Sequence, residues 1–331
     1  MFVHDQRALG ALSRAGQREE ACLTIRGMRL DIGAFLIAGW MSLPTCAADS
    51  NLEIPFDFLH NQIVLQGVVN GRGPYSFILD TGTRTTTIDI QVARELGLPL
   101  GPQATIEGVG AGRSMGRPAT FIELHIGGIA VRRLDATVLD LSGISRSLGR
   151  PLHGVLGFGF LNARITQIDY FQRRVRFYED SPFALNTRHA DERSISFPMQ
   201  FHAQSVLPVL EDCYVNGVRL SVTLDTGSSL GLVIFPHTIE QLGLGELSRS
   251  GIPMEAAGYL GEARLTKGWV KSVVLKTIDL GAIEVAYARK GYATDERPER
   301  RGGSIGNAIL QDFVLTLDYR ARLVTLQSVA E

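Results

Sequence analysis

The chain has little of what would tie it to several common classes of protein. Its 331 residues include only three cysteines, which is too few for a disulfide framework. The formal net charge is −1 and charged residues make up 20% of the chain, so the composition gives no basic footprint for nucleic-acid binding. The histidines are scattered and lack the His-Glu-x-x-His spacing of a zinc site, so we expect no metal ion and no other cofactor.

Glycine, in contrast, is abundant. The chain contains 36 glycines, and short apolar runs recur along it at regular intervals. This pattern favours an all-β fold over a helical one. The length is sufficient for two ordinary domains, each with its own hydrophobic core.

A different pattern occupies residues 28–48. Arginines precede an apolar stretch at 32–43, which is followed by Pro44 and then by small residues. This is the layout of a secretory signal, and cleavage near Ala47 or Ala48 would release an exported protein, periplasmic or secreted. The apolar stretch is shorter than the roughly 20 residues that a bilayer span needs, so we expect no stable membrane span in the mature chain.

Residues 1–27, upstream of this signal-like segment, are polar and rich in arginine. Because a secretory signal normally starts a chain, we interpret Met28 as the true start of translation. N-terminal sequencing of exported protein tests this, since a mature chain that begins before Met28 contradicts it. An alternative is a lipoprotein signal with Cys46 as the lipid-anchored residue, although Pro44 and Thr45 fit such a signal poorly.

The remainder of the chain contains one segment twice. Residues 77–83 read FILDTGT and residues 222–228 read VTLDTGS. In each copy an apolar run delivers an aspartate, Asp80 or Asp225, into a tight Thr-Gly turn. Strands that flank a glycine-containing turn hold a side chain at a fixed point. Two such arrangements in one chain indicate that the two carboxylates meet.

The flanking sequence indicates that a whole domain is duplicated. Three pairs of short motifs recur in the same order: Asn-Gly at 70–71 and 216–217, an apolar motif ending in Gly157 and Gly306, and Ile/Leu-Asp-Tyr at 168–170 and 317–319. Gly157 follows Asp80 by 77 residues, and Gly306 follows Asp225 by 81. Agreement in order and spacing is typical of an internal repeat.

The repeat predicts the domain organisation. We expect four parts: an N-terminal extension at 1–48 that includes the signal-like segment, a first lobe at 49–178, a charged linker at 179–195, and a second lobe at 196–331. Each lobe also has a glycine-rich segment between two extended runs, which we call the first tip (107–113) and the second tip (257–262). Their candidate flap residues are Gly108, Gly110, Gly112, Gly258, Tyr259 and Gly261. Glycine-rich tips suit mobile hairpins.

A pair of neighbouring carboxyl groups defines a specific chemistry. Two carboxyls within hydrogen-bond distance do not both ionise readily, so one keeps a proton over a wide pH range. Such a pair can take a proton from water and give one to a carbonyl oxygen, which is general acid–base attack on a peptide bond. The two turns supply the pair, and the tips could exclude bulk water.

The paired Asp-Thr-Gly turns and the later apolar-Gly motifs resemble those of aspartic peptidases, in particular the single-chain, retropepsin-like type found in bacteria. The resemblance covers residues 53–326. It implies an all-β fold of two similar acid-protease lobes, each barrel-like, with the active site in the cleft between them. It also implies a peptide or protein substrate, and a monomer is plausible because both half-sites are on one chain.

The resemblance further assigns a role to the residues of both turns. It implies that Asp80 and Asp225 are the catalytic dyad of an endopeptidase. The supporting residues come in pairs: Thr81 and Thr226 for hydrogen bonds between the lobes, Gly82 and Gly227 for the tight turns, Thr83 and Ser228 for hydroxyl hydrogen bonds that keep the carboxyl pKa values low, and Gly157 and Gly306 for the strand behind each turn.

The tips depart from the pepsin pattern, in which the first-lobe flap carries a tyrosine. No tyrosine lies between Thr105 and Met115, whereas Tyr259 lies in the second tip, and this favours two retropepsin-like flaps. Gly-x-Ser-x-Gly, the serine-hydrolase pattern, occurs at 112–116 and 227–231, but neither has the strand–elbow–helix context that this motif needs. The alternative function is a catalytically silent peptide-binding or scaffold protein with the same fold.

Overall fold

The computed structural model describes residues 52–106, 108–110, 112, 114–120, 123–179, 194–201, 206–292 and 301–329. The predicted signal-like segment, Cys46 and most of the predicted linker lie outside the described residues. Asp49–Glu331 form one compact unit. The predicted lobe boundaries stay predictions, although a strand already begins at Ser194, inside the predicted linker.

The fold is all-β, as the sequence predicts. The described residues contain 23 strands: β1 (Leu52–Pro55), β2 (Asp57–Leu59), β3 (Gln62–Val69), β4 (Arg72–Leu79), β5 (Thr86–Asp89), β6 (Ala104–Thr105), β7 (Met115–Thr120), β8 (Glu123–Ile126), β9 (Ile129–Arg132), β10 (Asp135–Leu139), β11 (Gly154–Leu156), β12 (Ile165–Asp169), β13 (Arg174–Tyr178), β14 (Ser194–Pro198), β15 (Val209–Val215), β16 (Val218–Leu224), β17 (Leu232–Ile234), β18 (Ile252–Gly258), β19 (Gly261–Leu275), β20 (Ile278–Ala288), β21 (Gly303–Ile305), β22 (Phe313–Asp318) and β23 (Leu323–Ser328).

The helices are few and short. They are α1 (Ile90–Glu95), α2 (Ser142–Leu148), α3 (Phe158–Leu161), α4 (Pro236–Gln241), α5 (Gly245–Ser250) and α6 (Asn307–Leu310). In the part of the chain that the structure describes, no helix has the length and apolar character needed to cross a membrane.

The hairpins that lead to the two aspartates form for a local reason. The β3–β4 hairpin turns at Asn70 and Gly71, with φ of 49° and 78°, and the β15–β16 hairpin turns at Asn216 and Gly217, with φ of 49° and 80°. Asn and Gly are the residues that best tolerate positive φ, and such turns match the twist of the flanking strands. The same dipeptide therefore builds the same hairpin twice.

Two sheets repeat the same connectivity. In the first half of the chain (β1–β13), a sheet runs in the order β6-β7-β10-β5-β11-β4-β3-β8-β9, with β2 paired to β3. In the second half (β14–β23), a sheet runs in the order β15-β16-β21-β17-β20-β19-β18, and pairing of β15 with β19 closes six of these strands into a barrel. Strands β7 and β8 of the first half correspond to the single strand β19 of the second half. Strands β9 and β10 correspond to the single strand β20.

A third sheet joins the two halves. Its order is β1-β13-β12-β22-β23-β14, so each half contributes three strands, and β12 pairs antiparallel with β22 at the junction. One hydrophobic cluster contains buried residues of both halves, among them Leu156 and Ile305. Burial of apolar surface across the junction stabilises one arrangement of the halves, and that arrangement brings the two turns together.

Candidate active site

Each aspartate is the first residue after the strand that ends its hairpin. Asp80 follows β4, and its backbone N–H donates to Leu156 O of β11 at 2.9 Å. Asp225 follows β16, and its backbone N–H donates to Ile305 O of β21, also at 2.9 Å. Because β11 and β21 run parallel to β4 and β16, each aspartate is held from behind by a neighbouring buried strand.

The glycines that follow β11 and β21 let the chain cross close to each turn. A Cβ atom on Gly157 would lie 2.6 Å from Thr83 Cγ2 and 2.7 Å from Thr83 O. A Cβ atom on Gly306 would lie 2.6 Å from Ser228 O. Such distances are shorter than van der Waals contact, so no larger residue fits without moving the turn.

The two turns lock together through their threonines. The Thr81 N–H donates to Thr226 Oγ1 and the Thr226 N–H donates to Thr81 Oγ1, both at 3.0 Å. Each hydroxyl in turn donates to the strand of the other half: Thr81 Oγ1 to Leu224 O at 2.7 Å and Thr226 Oγ1 to Leu79 O at 2.9 Å. Both threonines are completely buried, where an unmade hydrogen bond is costly. The relative position of the two aspartates is therefore strongly determined.

The carboxyl groups lie against each other and against the opposite turn. A Cβ atom on Gly82 would lie 2.5 Å from Asp225 Oδ1, and one on Gly227 would lie 2.2 Å from Asp80 Cγ. The two carboxyls are close enough for each to influence the ionisation of the other. Each carboxylate also accepts from its own turn: Gly82 N–H donates to Asp80 Oδ1 at 2.6 Å, and Gly227 N–H donates to Asp225 Oδ1 at 3.0 Å.

Burial dominates the ionisation of this pair. It raises the pKa of Asp80 well above its ordinary value, and the nearby charge of Asp225 raises it further. Burial also raises the pKa of Asp225, against the opposing effect of the Asp80 carboxyl. The pair therefore holds one proton over a broad pH range.

The predicted low pKa values are wrong, because desolvation outweighs the hydrogen bonds. The groups that oppose the rise are the Asp80 carboxyl, which acts on Asp225, and the backbone N–H groups of Gly82, Gly227 and Ser228, not the predicted hydroxyls. The Ser228 hydroxyl accepts from Leu230 N–H at 3.3 Å, and the Thr83 carbonyl accepts from Phe158 N–H at 3.0 Å.

The two tips meet in front of the dyad. Leu260 N–H donates to Val109 O at 3.0 Å, and Gly112 N–H donates to Leu260 O at 2.8 Å. The glycines make this approach possible: a Cβ atom on Gly258 would lie 2.2 Å from Val109 O, and one on Gly110 would lie 2.6 Å from the Leu260 carbonyl carbon. Gly108 lies against the Tyr259 side chain, whereas Gly261 has open space and a φ of +93° that suits a tight turn.

The side chains of the tips cross to the opposite half. Tyr259 of the second tip packs against a first-half cluster that includes Val64, Ile78 and Leu141. Val109 of the first tip packs against a second-half cluster around Phe235. Burial and the charge of Asp80 raise the pKa of the buried Tyr259 phenol, and its interactions with the Thr87 and Thr83 hydroxyls oppose the rise. Each tip therefore packs one side chain against the opposite half, and Tyr259 lies near enough to Asp80 to feel its charge.

Sequence reasoning missed a set of polar residues behind the second turn, namely Asn61, Gln62, Tyr170 and Asn307. Asn61 and Gln62 follow β2 of the first half but bind the turn of the second half. One signal was present in the sequence: Asn307 interrupts an apolar run at the position where the first copy of the repeat has Phe158.

We expect the stability of the fold to decrease as the pH rises, because of the carboxyl pair. A carboxyl whose pKa is raised in the folded state contributes stability that is fully present below the unfolded value, here 3.8, and is lost as the pH rises through the folded value. Asp80→Asn removes this penalty, so its midpoint of thermal unfolding should exceed that of the wild type at neutral pH, by about 2 °C for each 1 kcal/mol.

Thermal unfolding followed by circular dichroism at several pH values measures this difference. The advantage of Asp80→Asn should shrink as the pH approaches 3.8. A difference that is the same at every pH would contradict the raised pKa values.

An all-β fold in two similar halves, with two interlocked Asp-Thr-Gly turns where the halves meet, is the fold of an aspartic peptidase of the retropepsin-like type. Residues 65–160 match the family model described as aspartyl protease. The matched segment contains the first turn, the first tip and Gly157, and the match supports aspartic peptidase activity in general. A search of curated proteins found no significant match to the chain.

Proposed function

We propose that the protein is an aspartic endopeptidase in which Asp80 and Asp225 together activate a water molecule for attack on a peptide bond. The observation that carries the proposal is the close approach of each carboxyl to the opposite one of two interlocked turns. A pair that shares one proton contains a base and an acid at once, and both are needed for this reaction.

The steps of the reaction follow from the single proton that the pair of carboxyls holds. The ionised carboxylate takes a proton from water as the water oxygen bonds to the carbonyl carbon, and the protonated carboxyl gives its proton to the carbonyl oxygen. The tetrahedral gem-diol that results breaks its C–N bond as the nitrogen accepts a proton from one carboxyl and a hydroxyl returns a proton to the other. The pair ends with the single proton with which it began.

Preorganisation supports this chemistry. The dyad is buried, so charges that develop during attack are screened less than they are in water. The threonine interlock spares the enzyme any reorganisation of the two turns at the moment of reaction. We propose that the tips are flaps, which separate to admit a peptide and close over it.

Incubation of the purified protein with a mixture of denatured proteins, at a series of pH values, tests the proposal. Mass spectrometry of the products should reveal new internal termini that a pepstatin-like transition-state mimic suppresses. A heat-denatured sample of the same protein is the control. Substrates that are bound but remain intact at every pH would contradict the proposal and favour the peptide-binding or scaffold alternative.

A further inference from the structure

Four successive backbone carbonyls in and just after the second turn accept hydrogen bonds from only three residues. The bonds are Asn307 Nδ2 to Thr226 O at 2.7 Å, Gln62 Nε2 to Gly227 O at 2.8 Å, Asn307 N–H to Ser228 O at 2.9 Å, and Asn61 Nδ2 to Ser229 O at 3.0 Å. Side-chain amides and one backbone amide therefore fix the orientation of each of these peptide groups.

The side chain of Asn307 is itself fixed by burial and by hydrogen bonds. Its side chain is completely buried, and its Nδ2 donates a second hydrogen bond to Asn61 O at 2.7 Å. The Tyr170 hydroxyl donates to its Oδ1, also at 2.7 Å. A buried amide with all these bonds made has a single favourable orientation.

Among the described residues, the first turn has no counterpart of the hydrogen bonds that the Asn307 side chain makes. Phe158 occupies the position that corresponds to Asn307, and its ring has no N–H to donate. The counterpart of Tyr170 is Tyr319, whose ring meets the Phe158 ring edge-on at 5.2 Å. The Tyr319 hydroxyl is buried and has no hydrogen-bond partner in the described part of the chain. The symmetry of the repeat is therefore broken directly behind the dyad.

We propose that Asn307 is a positioning residue that makes the two aspartates unequal, so that Asp225 is the charged member of the pair and Asp80 carries the proton. This inference rests on the proposed function. Asn307 acts through the Thr226–Gly227 peptide and does not touch the reacting atoms.

The physical basis is the polarisation of two peptide groups. A hydrogen bond to a carbonyl oxygen strengthens the N–H of the same peptide as a donor. Asn307 bonds Thr226 O, and the N–H of that peptide belongs to Gly227 and donates to Asp225 Oδ1. Gln62 likewise bonds Gly227 O, and the N–H of that peptide belongs to Ser228, which donates to the Asp225 backbone carbonyl at 3.1 Å and also lowers the pKa of the Asp225 carboxyl. Gly227 N–H also acts on Asp80, whose own donor is Gly82 N–H, so the two aspartates differ in the side-chain amides that bond the carbonyls of the Thr226–Gly227 and Gly227–Ser228 peptides.

Other titratable groups face the pair from three elements. They are Tyr259 between β18 and β19, Tyr292 after β20, and Tyr319 after β22. Burial raises the pKa of each of these phenols, so all three are neutral wherever the dyad holds one proton. None of them supplies a charge that would decide which aspartate ionises.

The experiment compares the pH dependence of kcat/KM for Asn307→Leu, Tyr170→Phe and Tyr319→Phe. Loss of the bond to Thr226 O weakens Gly227 N–H as a donor to the charged aspartate. The acid limb of the Asn307→Leu profile should therefore move to higher pH by about half a unit to one unit, with kcat/KM at the optimum reduced roughly tenfold. Tyr170→Phe removes only the hydrogen bond to Asn307 Oδ1 and keeps the Asn307 amide. It should therefore shift the acid limb of the profile to higher pH by a smaller amount.

Tyr319→Phe is the matched control, because it removes the corresponding hydroxyl where that hydroxyl has no partner among the described residues. It should leave the profile unchanged. A purely structural Asn307 would lower thermal stability and leave the acid limb in place, and that result overturns the proposal. An equal shift in Tyr170→Phe and Tyr319→Phe also overturns it.

A second measurement needs no turnover. The carboxyl carbon resonances of ¹³C-labelled aspartates, assigned with Asp225→Asn, report the protonation of the pair directly. Ionisation of Asp225 should move to higher pH in Asn307→Leu, and an unchanged titration contradicts the inference. If the wild-type protein cleaves no peptide, the proposed function fails, while this titration still decides the role of Asn307.

Discussion

Asp80→Asn and Asp225→Asn should each lower kcat/KM for peptide cleavage by at least about a thousandfold, because general acid–base catalysis by the pair is lost as a unit. An amide cannot take a proton from water or deliver one to a carbonyl oxygen. In the proposed mechanism one carboxyl is the base and the other is the acid, so neither can replace the other. The comparison is made with a peptide identified among the cleavage products of the wild-type protein.

Both variants should remain folded, because asparagine has nearly the shape of aspartate and adds no charge to the buried site. Circular dichroism and thermal unfolding establish this alongside the kinetics. Asp135→Asn is the matched control: Asp135 is exposed on β10, where it accepts a hydrogen bond from Thr120 Oγ1, and its substitution should not alter cleavage. Substantial activity in either dyad variant would refute the assignment of the dyad.

Gly227→Ala should lower kcat/KM by about a hundredfold or more, since a displacement of about 1 Å at a catalytic group can cost that much. The added Cβ atom would lie 2.2 Å from Asp80 Cγ and 2.4 Å from Asp80 Oδ1. The carboxyl must move, and the threonine interlock prevents the turn from moving with it. The loss should appear mainly in kcat, because the change disturbs the reacting groups more than it disturbs peptide binding.

Gly143→Ala provides the comparison for this variant. Gly143 lies in α2, and the nearest heavy atom to its added Cβ would be Arg146 Nη2 at 3.9 Å, which is ordinary contact. The kcat/KM of the Gly143→Ala variant for peptide cleavage should equal that of the wild type. If Gly227→Ala retained full activity, the carboxyl of Asp80 would not act where the two turns meet.

Much of the framework could be predicted from the sequence because it depends on local chemistry. Asn-Gly dipeptides favour positive φ, so both hairpins could be placed before the strands around them were known. The glycines at 157 and 306 pointed to a close crossing, and the structure places them against Thr83 and Ser228. The repeat of these signals pointed to a pair of similar halves.

The ionisation of the dyad could not be predicted in this way. Hydroxyl residues beside each aspartate suggested low pKa values, but the direction depends on how deeply the carboxyls are buried. Burial results from the packing of both halves around the turns. The exchange of Val109 and Tyr259 between the halves is equally invisible in the sequence, because it joins residues 150 positions apart.

The order of residues alone was enough to specify two Asp-Thr-Gly turns in a duplicated β-rich chain, because turn chemistry and strand periodicity act over a few neighbouring residues. Only the folded arrangement decided that each carboxyl lies against the opposite turn, that the tips contact each other, and that Asn307 bonds the second turn. Those features depend on contacts between distant segments, whose geometry and desolvation arise when the halves pack together.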